Sequence, residues 1–188
     1  VELEGLGEGV IYGYKISNKI NKSIENKLVL DPCARAITGW KNYIRDQQSF
    51  PAKGYKHYLK GVVTEREEFD FTNHPRPNHP WLKSIIYELH LGGFTKGSSD
   101  INSSITGTFL GLIEKIPYLK SLGITTLELL PIFVFDKNDA PMGKENFWGY
   151  SPINWFSPHN DYICSDSNFS PRDQVRKFVE ACHDNDLE

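Results

Sequence analysis

The sequence of 188 residues is poor in cysteine and methionine and has no long apolar run. Cys33, Cys164 and Cys182 lie far apart, their number is odd, and no C-x-x-C pair occurs. No disulfide framework is indicated. The thiols read as buried or partly buried groups in a reducing compartment, so the expected location is cytoplasmic. No stretch approaches the ~18 apolar residues of a membrane span. The opening Val1-Glu-Leu-Glu-Gly5 does not read as a signal peptide. Position 1 is not methionine, which predicts that the chain begins inside a longer protein. An excess of one charge is also missing: 21 Lys and Arg stand against 24 Asp and Glu, a net −3. That balance gives no footprint for nucleic acid or an anionic membrane, and it suits a neutral polyhydroxylated ligand. The glycines of Gly5-Leu-Gly-Glu-Gly9 open no helix, so a phosphate loop is excluded. His159 lacks the neighbours of a metal site; no metal and no cofactor are expected.

Aromatic residues, at 13%, are what the chain does have. The run from Asn146 to Tyr162 holds two Trp, two Phe and two Tyr, interrupted by Gly149, Pro152 and Pro158. Those breakers argue against a regular helix, so the rings do not form a helical core stripe. Flat apolar rings with a polar edge suit a sugar, which is flat on one face and hydroxylated at its rim. A loop that plugs a domain edge with its rings fits the same composition.

Residues 1–37 read as β-rich. The run from Val10 to Ile16 has strand composition with Gly13 as a weak point, residues 16–27 read as a loop, and 28–30 form a short strand. Residues 38–80 have little periodicity, with a strand at 61–63; the three prolines of 72–80 mark a boundary. Beyond Trp81 strands and helices alternate. A strand over 85–90 stops at Gly92-Gly93. A short helix carries Phe109, Leu112, Ile113 and Ile116, and a second starts at Pro117 and ends with Gly123 at C′. A strand over 124–130 precedes a loop of about 40 residues, a length that is usually functional. Ser170, Pro171 and Asp173 then cap a final helix that buries Val175, Phe178, Val179 and Cys182. Strands that look buried on both faces suggest a parallel sheet with crossover helices. Pattern alone does not separate a doubly wound sheet from a (β/α)8 barrel.

The order of residues within the aromatic run resembles a signature of the α-amylase superfamily of glycoside hydrolases, nearest its glycogen-debranching and isoamylase branch. Three further blocks match in order: 85–95, with Ile85-Ile-Tyr-Glu-Leu-His90; 107–133; and, upstream, 11–14 with 26–37. The resemblance implies an α/β architecture. Residues 1–37 would be the end of an N-terminal β-sandwich module, 38–80 a linker, and 81–188 the first βα units of a (β/α)8 TIM barrel. Gly92 departs from the family, whose members commonly carry Arg there, and the loop over 16–27 lacks the usual Pro- and Gly-rich sequence.

A complete barrel takes ~250 residues, and the family's catalytic carboxylates belong to later strands. The expectation is therefore a part of an α-1,6-glucan debranching hydrolase, acting with retention on glycogen, limit dextrin or maltooligosaccharides. No catalytic residue is expected in this chain, because retaining hydrolysis needs two carboxyl groups ~5–5.5 Å apart. Glu65, Glu67 and Glu68 read as a solvated charge run, and Asp136, Asp139, Glu145, Asp161 and Asp166 fall in no catalytic motif of the family. The resemblance assigns substrate contact to Tyr150, whose ring would stack on the sugar at the point of cleavage. Trp148 would support it from beneath. His90, at the first strand's end, either lines the cleft or hydrogen-bonds a neighbouring loop. Phe147, Trp155 and Phe156 are assigned to core packing. A branching or trehalose-forming enzyme of the same superfamily, and a non-catalytic α-glucan-binding protein, are the alternatives. Uncovered strand edges predict self-association.

Overall fold

The computed structural model of the protein describes residues 4–16, 28–43, 55–65 and 68–188. Most of the loop expected over 16–27, and Glu67 of the charge run, lie outside these residues. The chain divides into two compact units, one of Val1–Glu67 with Ile153–Ser157, the other of Glu68–Pro152 with Pro158–Glu188.

The first unit is built from short antiparallel strands: β1 (Ile11–Tyr12), β2 (Tyr14–Lys15), β3 (Leu28–Val29), β4 (Ile37–Thr38) and β5 (Lys60–Val62). β5 lies between β1 and β4, while β2 pairs with β3. Gly13 is where the strand expected over 10–16 breaks, because the chain leaves one sheet there and enters the other. Tyr12 donates its hydroxyl proton to Asp31 at 2.6 Å. Burial and that carboxylate together raise its pKa. The inserted piece 153–157 is held by buried polar groups. Asn154 Nδ2 donates to the carbonyl of Pro32 at 3.0 Å, and Ser157 Oγ to that of Ala34 at 2.8 Å.

The second unit holds β6 (Ile86–Leu89) and β7 (Thr126–Leu129), paired parallel in the register Ile86 to Thr126 through Leu89 to Leu129. Between them run α1 (Leu91–Lys96), α2 (Phe109–Ile113) and α3 (Ile116–Ser121); α4 (Pro171–Asp184) follows the long loop. Leu89, Leu91, Phe109, Leu112, Leu119 and Phe178 form the core, with Tyr87, Leu127 and Leu129 against it. The opposite face of the strand pair carries Glu88 beside Glu128 and the half-exposed Ile86. The strands are thus covered on one face among the described residues, where the sequence suggested two.

Pro117 divides two helices as expected. It lies in the first turn of α3, where its missing N–H breaks no intrahelical bond. Gly123, at φ 79°, takes the left-handed C′ position and its N–H returns to Lys120 O at 2.9 Å. Ser170 caps α4 by accepting from the Asp173 N–H, with Pro171 at N1. One helix was not foreseen. Gly92 and Gly93 read as a strand stop, yet α1 starts at Leu91. The His90 cap and the burial of Leu91 and Thr95 outweigh poor glycine propensity over six residues. Past α4 the backbone returns beside β7: Glu188 N donates to Thr125 O, and Leu127 N to Glu188 O, both at 2.8 Å. That is the bonding pattern of a parallel rung. No helix among the described residues is long and apolar enough to cross a membrane.

Candidate functional site

The residues following β6 and β7 leave the strand pair at the same end, since the strands are parallel. There the second unit has a cavity of about 220 Å³, with His90, Phe147, Lys137, Asp161, His159 and Tyr162 in its wall. His90 belongs to the N-terminus of α1. Its Nδ1 accepts from the Gly93 N–H at 2.8 Å. Its Nε2 lies 2.8 Å from the carbonyl oxygen of Phe147 and 3.2 Å from the Tyr162 hydroxyl. The ring stacks on Phe147, with centroids 4.0 Å apart and planes 10° from parallel.

The loop after β7 is ordered by its own backbone. Isolated bridges join Phe133 to Pro158 and Phe135 to Pro152. Asn146 donates through Nδ2 to the Asp136 carbonyl at 3.2 Å, and its Oδ1 accepts from the Gly149 N–H at 3.0 Å. Gly149 sits at φ 83°, and a Cβ there would lie 2.9 Å from the Phe135 ring. Any other residue would be strained and would push the turn outward. This turn presents Phe147, Trp148 and Tyr150 at 51%, 58% and 67% exposure.

These exposures correct two assignments. Phe147 is a surface ring stacked on His90, not a core residue. Trp148 does not lie buried beneath the loop; it meets Phe147 edge-on at 5.3 Å. Trp155 and Phe156, also assigned to the core, are 64% and 62% exposed and belong to the first unit. The aromatic run therefore serves two units. His90 does bond a neighbouring loop, one of its two expected readings.

Lys137 holds the polar side of the cavity, 2.6 Å from Asp161 and 3.7 Å from Glu145. Burial opposes its charge, but the two carboxylates outweigh that cost and raise its pKa. Glu145 and Asp161 thus line the cavity as partners of one ammonium. His159 is buried and stacks on Phe135 at 3.8 Å. Burial pulls its pKa down to about 4 against the opposing pull of Asp161. Burial, with Asp161 nearby, pushes the Tyr162 hydroxyl up to about 12. Nothing in the sequence pointed to the stacking of His159 or to the pairing of Lys137 with Asp161, which spans 24 residues. Among the described residues no group of three His, Cys, Asp or Glu side chains could hold a metal ion.

A pair of parallel strands joined through helices, with a shaped aromatic loop at their carboxyl end, defines an α/β protein. Residues 94–188 match the alpha-amylase catalytic domain, and the chain belongs to that family. It is 33% identical over 199 residues to a glycogen debranching enzyme of Yersinia enterocolitica, covering 99% of this chain and 30% of that protein. It is 30% identical over 188 residues to the glycogen operon protein GlgX homolog of Haemophilus influenzae, covering 95% of this chain and 28% of that protein. The chain therefore spans about 30% of the length of the curated relatives it matches. In fold it is similar to the group B Streptococcus pullulanase SAP solved in complex with maltotetraose. The TM-score is 0.64 at 21% identity, over 85% of this chain and 22% of that one.

Proposed function

We propose that these residues are part of an α-1,6-glucan debranching hydrolase that cleaves the branch points of glycogen or limit dextrin with retention. The supporting observation is that nearly the whole chain aligns with glycogen debranching enzymes; the turn of exposed Phe147, Trp148 and Tyr150 offers rings to a ligand. In this reading residues 1–37 end a β-sandwich module, 38–80 link it onward, and 81–188 begin a (β/α)8 barrel. Tyr150 is the stacking wall, Trp148 flanks it and His90 sits behind them. A ring laid on Tyr150 would bury its C–H face and leave its hydroxyls at the rim, open to solvent.

The 188 residues by themselves bind and do not cleave. The two carboxylates lining the cavity are both committed to Lys137, so neither is poised as acid or nucleophile. The partner is a neutral α-glucan, not nucleic acid or membrane; the setting is cytoplasmic, and no cofactor takes part. The test is to assay the whole protein that carries this chain for reducing ends released from branched and from linear glucan. Release from the branched substrate, reduced by Tyr150→Ala, is expected. Cleavage of linear α-1,4 chains with branch points untouched would overturn the assignment.

A further inference from the structure

We infer that His90 is a positioning residue, a latch that works in one tautomer and fixes the aromatic turn to the end of β6. The ring's partners dictate where its proton sits. The Gly93 N–H can only donate, so Nδ1 must offer a lone pair; the Phe147 carbonyl can only accept, so Nε2 must carry the hydrogen. A single neutral imidazole meets both demands, with the Tyr162 hydroxyl, 3.2 Å from Nε2, free to accept from it, and neither the other tautomer nor imidazolium does. The hydrogen bond and the stacked Phe147 ring grip the same residue from two sides. That ring lies over α1, 3.2 Å from where a Cβ on Gly93 would be, so the glycine admits it.

Phe147 stands between Asn146, whose side chain closes the turn onto Gly149, and Trp148. Holding its carbonyl therefore sets the plane of the Phe147–Trp148 peptide and, through Gly149, the direction of Tyr150. The latch itself stands on this geometry. Only its consequence for sugar binding rests on the reading of Tyr150 given above.

The experiment is nitrogen-resolved NMR of the chain labelled in histidine and in its backbone, with two variants. His90→Asn places an oxygen near the Nδ1 position, where it still caps α1, but falls short of Phe147. His90→Gln places an amide N–H near the Nε2 position and loses the cap. The wild type is expected to show a neutral His90 ring with its proton on Nε2. His90→Asn is expected to keep Gly93 protected, move the Trp148 and Tyr150 amide signals, and speed Gly149 amide exchange about tenfold, the worth of one hydrogen bond. His90→Gln should restore the Trp148 and Tyr150 signals towards wild type while exposing Gly93. A proton on Nδ1, a charged ring at neutral pH, or unmoved Trp148 and Tyr150 signals in His90→Asn would overturn the latch. If a variant does not fold, the wild-type tautomer alone decides. Maltotetraose added to the wild type separates the two claims: undisturbed Tyr150 signals count against the glucan reading and leave the latch standing on the tautomer.

Discussion

His159 is expected to make the protein lose stability in acid, and the size of the loss follows from its site. The ring is buried against Phe135, and desolvation lowers its pKa from 6.5 to about 4. Asp161 Oδ2 lies 3.9 Å from Nε2 but is bound more closely by Lys137, so it offsets burial only in part. A depressed imidazole pKa means that the unfolded chain takes up the proton first. Stability is therefore full above pH 6.5 and falls as pH drops towards 4. At 1.36 kcal/mol per pH step, the 2.5 steps between 6.5 and 4 amount to on the order of 3 kcal/mol. The perturbation is His159→Phe, which keeps a stacked ring and removes the titrating group. Urea denaturation of both chains between pH 4 and pH 8 isolates the effect. Groups remote from His159, such as His74, contribute equally to both chains, so only the difference between the two pH profiles counts. The variant's stability is expected to fall less between pH 7 and pH 4 by roughly 2–3 kcal/mol, whatever its absolute value. Parallel profiles would refute the assignment of a neutral, desolvated His159.

Gln174 is fully buried and holds the Cys164 N–H and carbonyl and the Phe169 carbonyl at 2.9–3.1 Å. Gln174→Leu leaves those three groups unmet and should cost about 2–4 kcal/mol in urea denaturation; a loss under about 0.5 kcal/mol would refute their role. Trp81 and Leu82 are 87% and 101% exposed beside the half-exposed Ile85 and Ile86. Self-association of the chain, reduced by Trp81→Lys with Leu82→Lys, is expected in sedimentation velocity; a monomer at all concentrations would contradict it.

What the sequence made legible was local. The Ser170-Pro171 start of α4, Pro117 between α2 and α3, and Gly123 after α3 each act within a few residues, and each lies where it was expected. β6 and β7 followed from short apolar runs between breakers. Their exposed face did not, because Glu88 and Glu128 become neighbours only through the parallel register. Within the long loop the sequence marked the aromatic residues without showing which way they face. Phe147 and Trp148 are turned outward by the positive-φ turn at Gly149 and by contacts with His90, 57 residues before Phe147 along the chain. Trp155 and Phe156 leave with the insert that Asn154 and Ser157 tie to residues more than 120 positions earlier. The Lys137 and His159 arrangements likewise join positions that no helical or strand period connects.

On the proposed function, the turn carrying Tyr150 is the wall on which a glucan stacks. Titrating the labelled chain with maltotetraose, and repeating it with Tyr150→Ala, tests this most directly. Because Tyr150 is 67% exposed, the substitution should leave the melting transition within about 0.5 kcal/mol of wild type. Weak binding is expected, with a Kd of about 1 mM or above. The shifts should centre on Trp148 and Tyr150 in the wild type and disappear in the variant. Equal binding by Tyr150→Ala, or shifts confined to residues away from this turn, would contradict it.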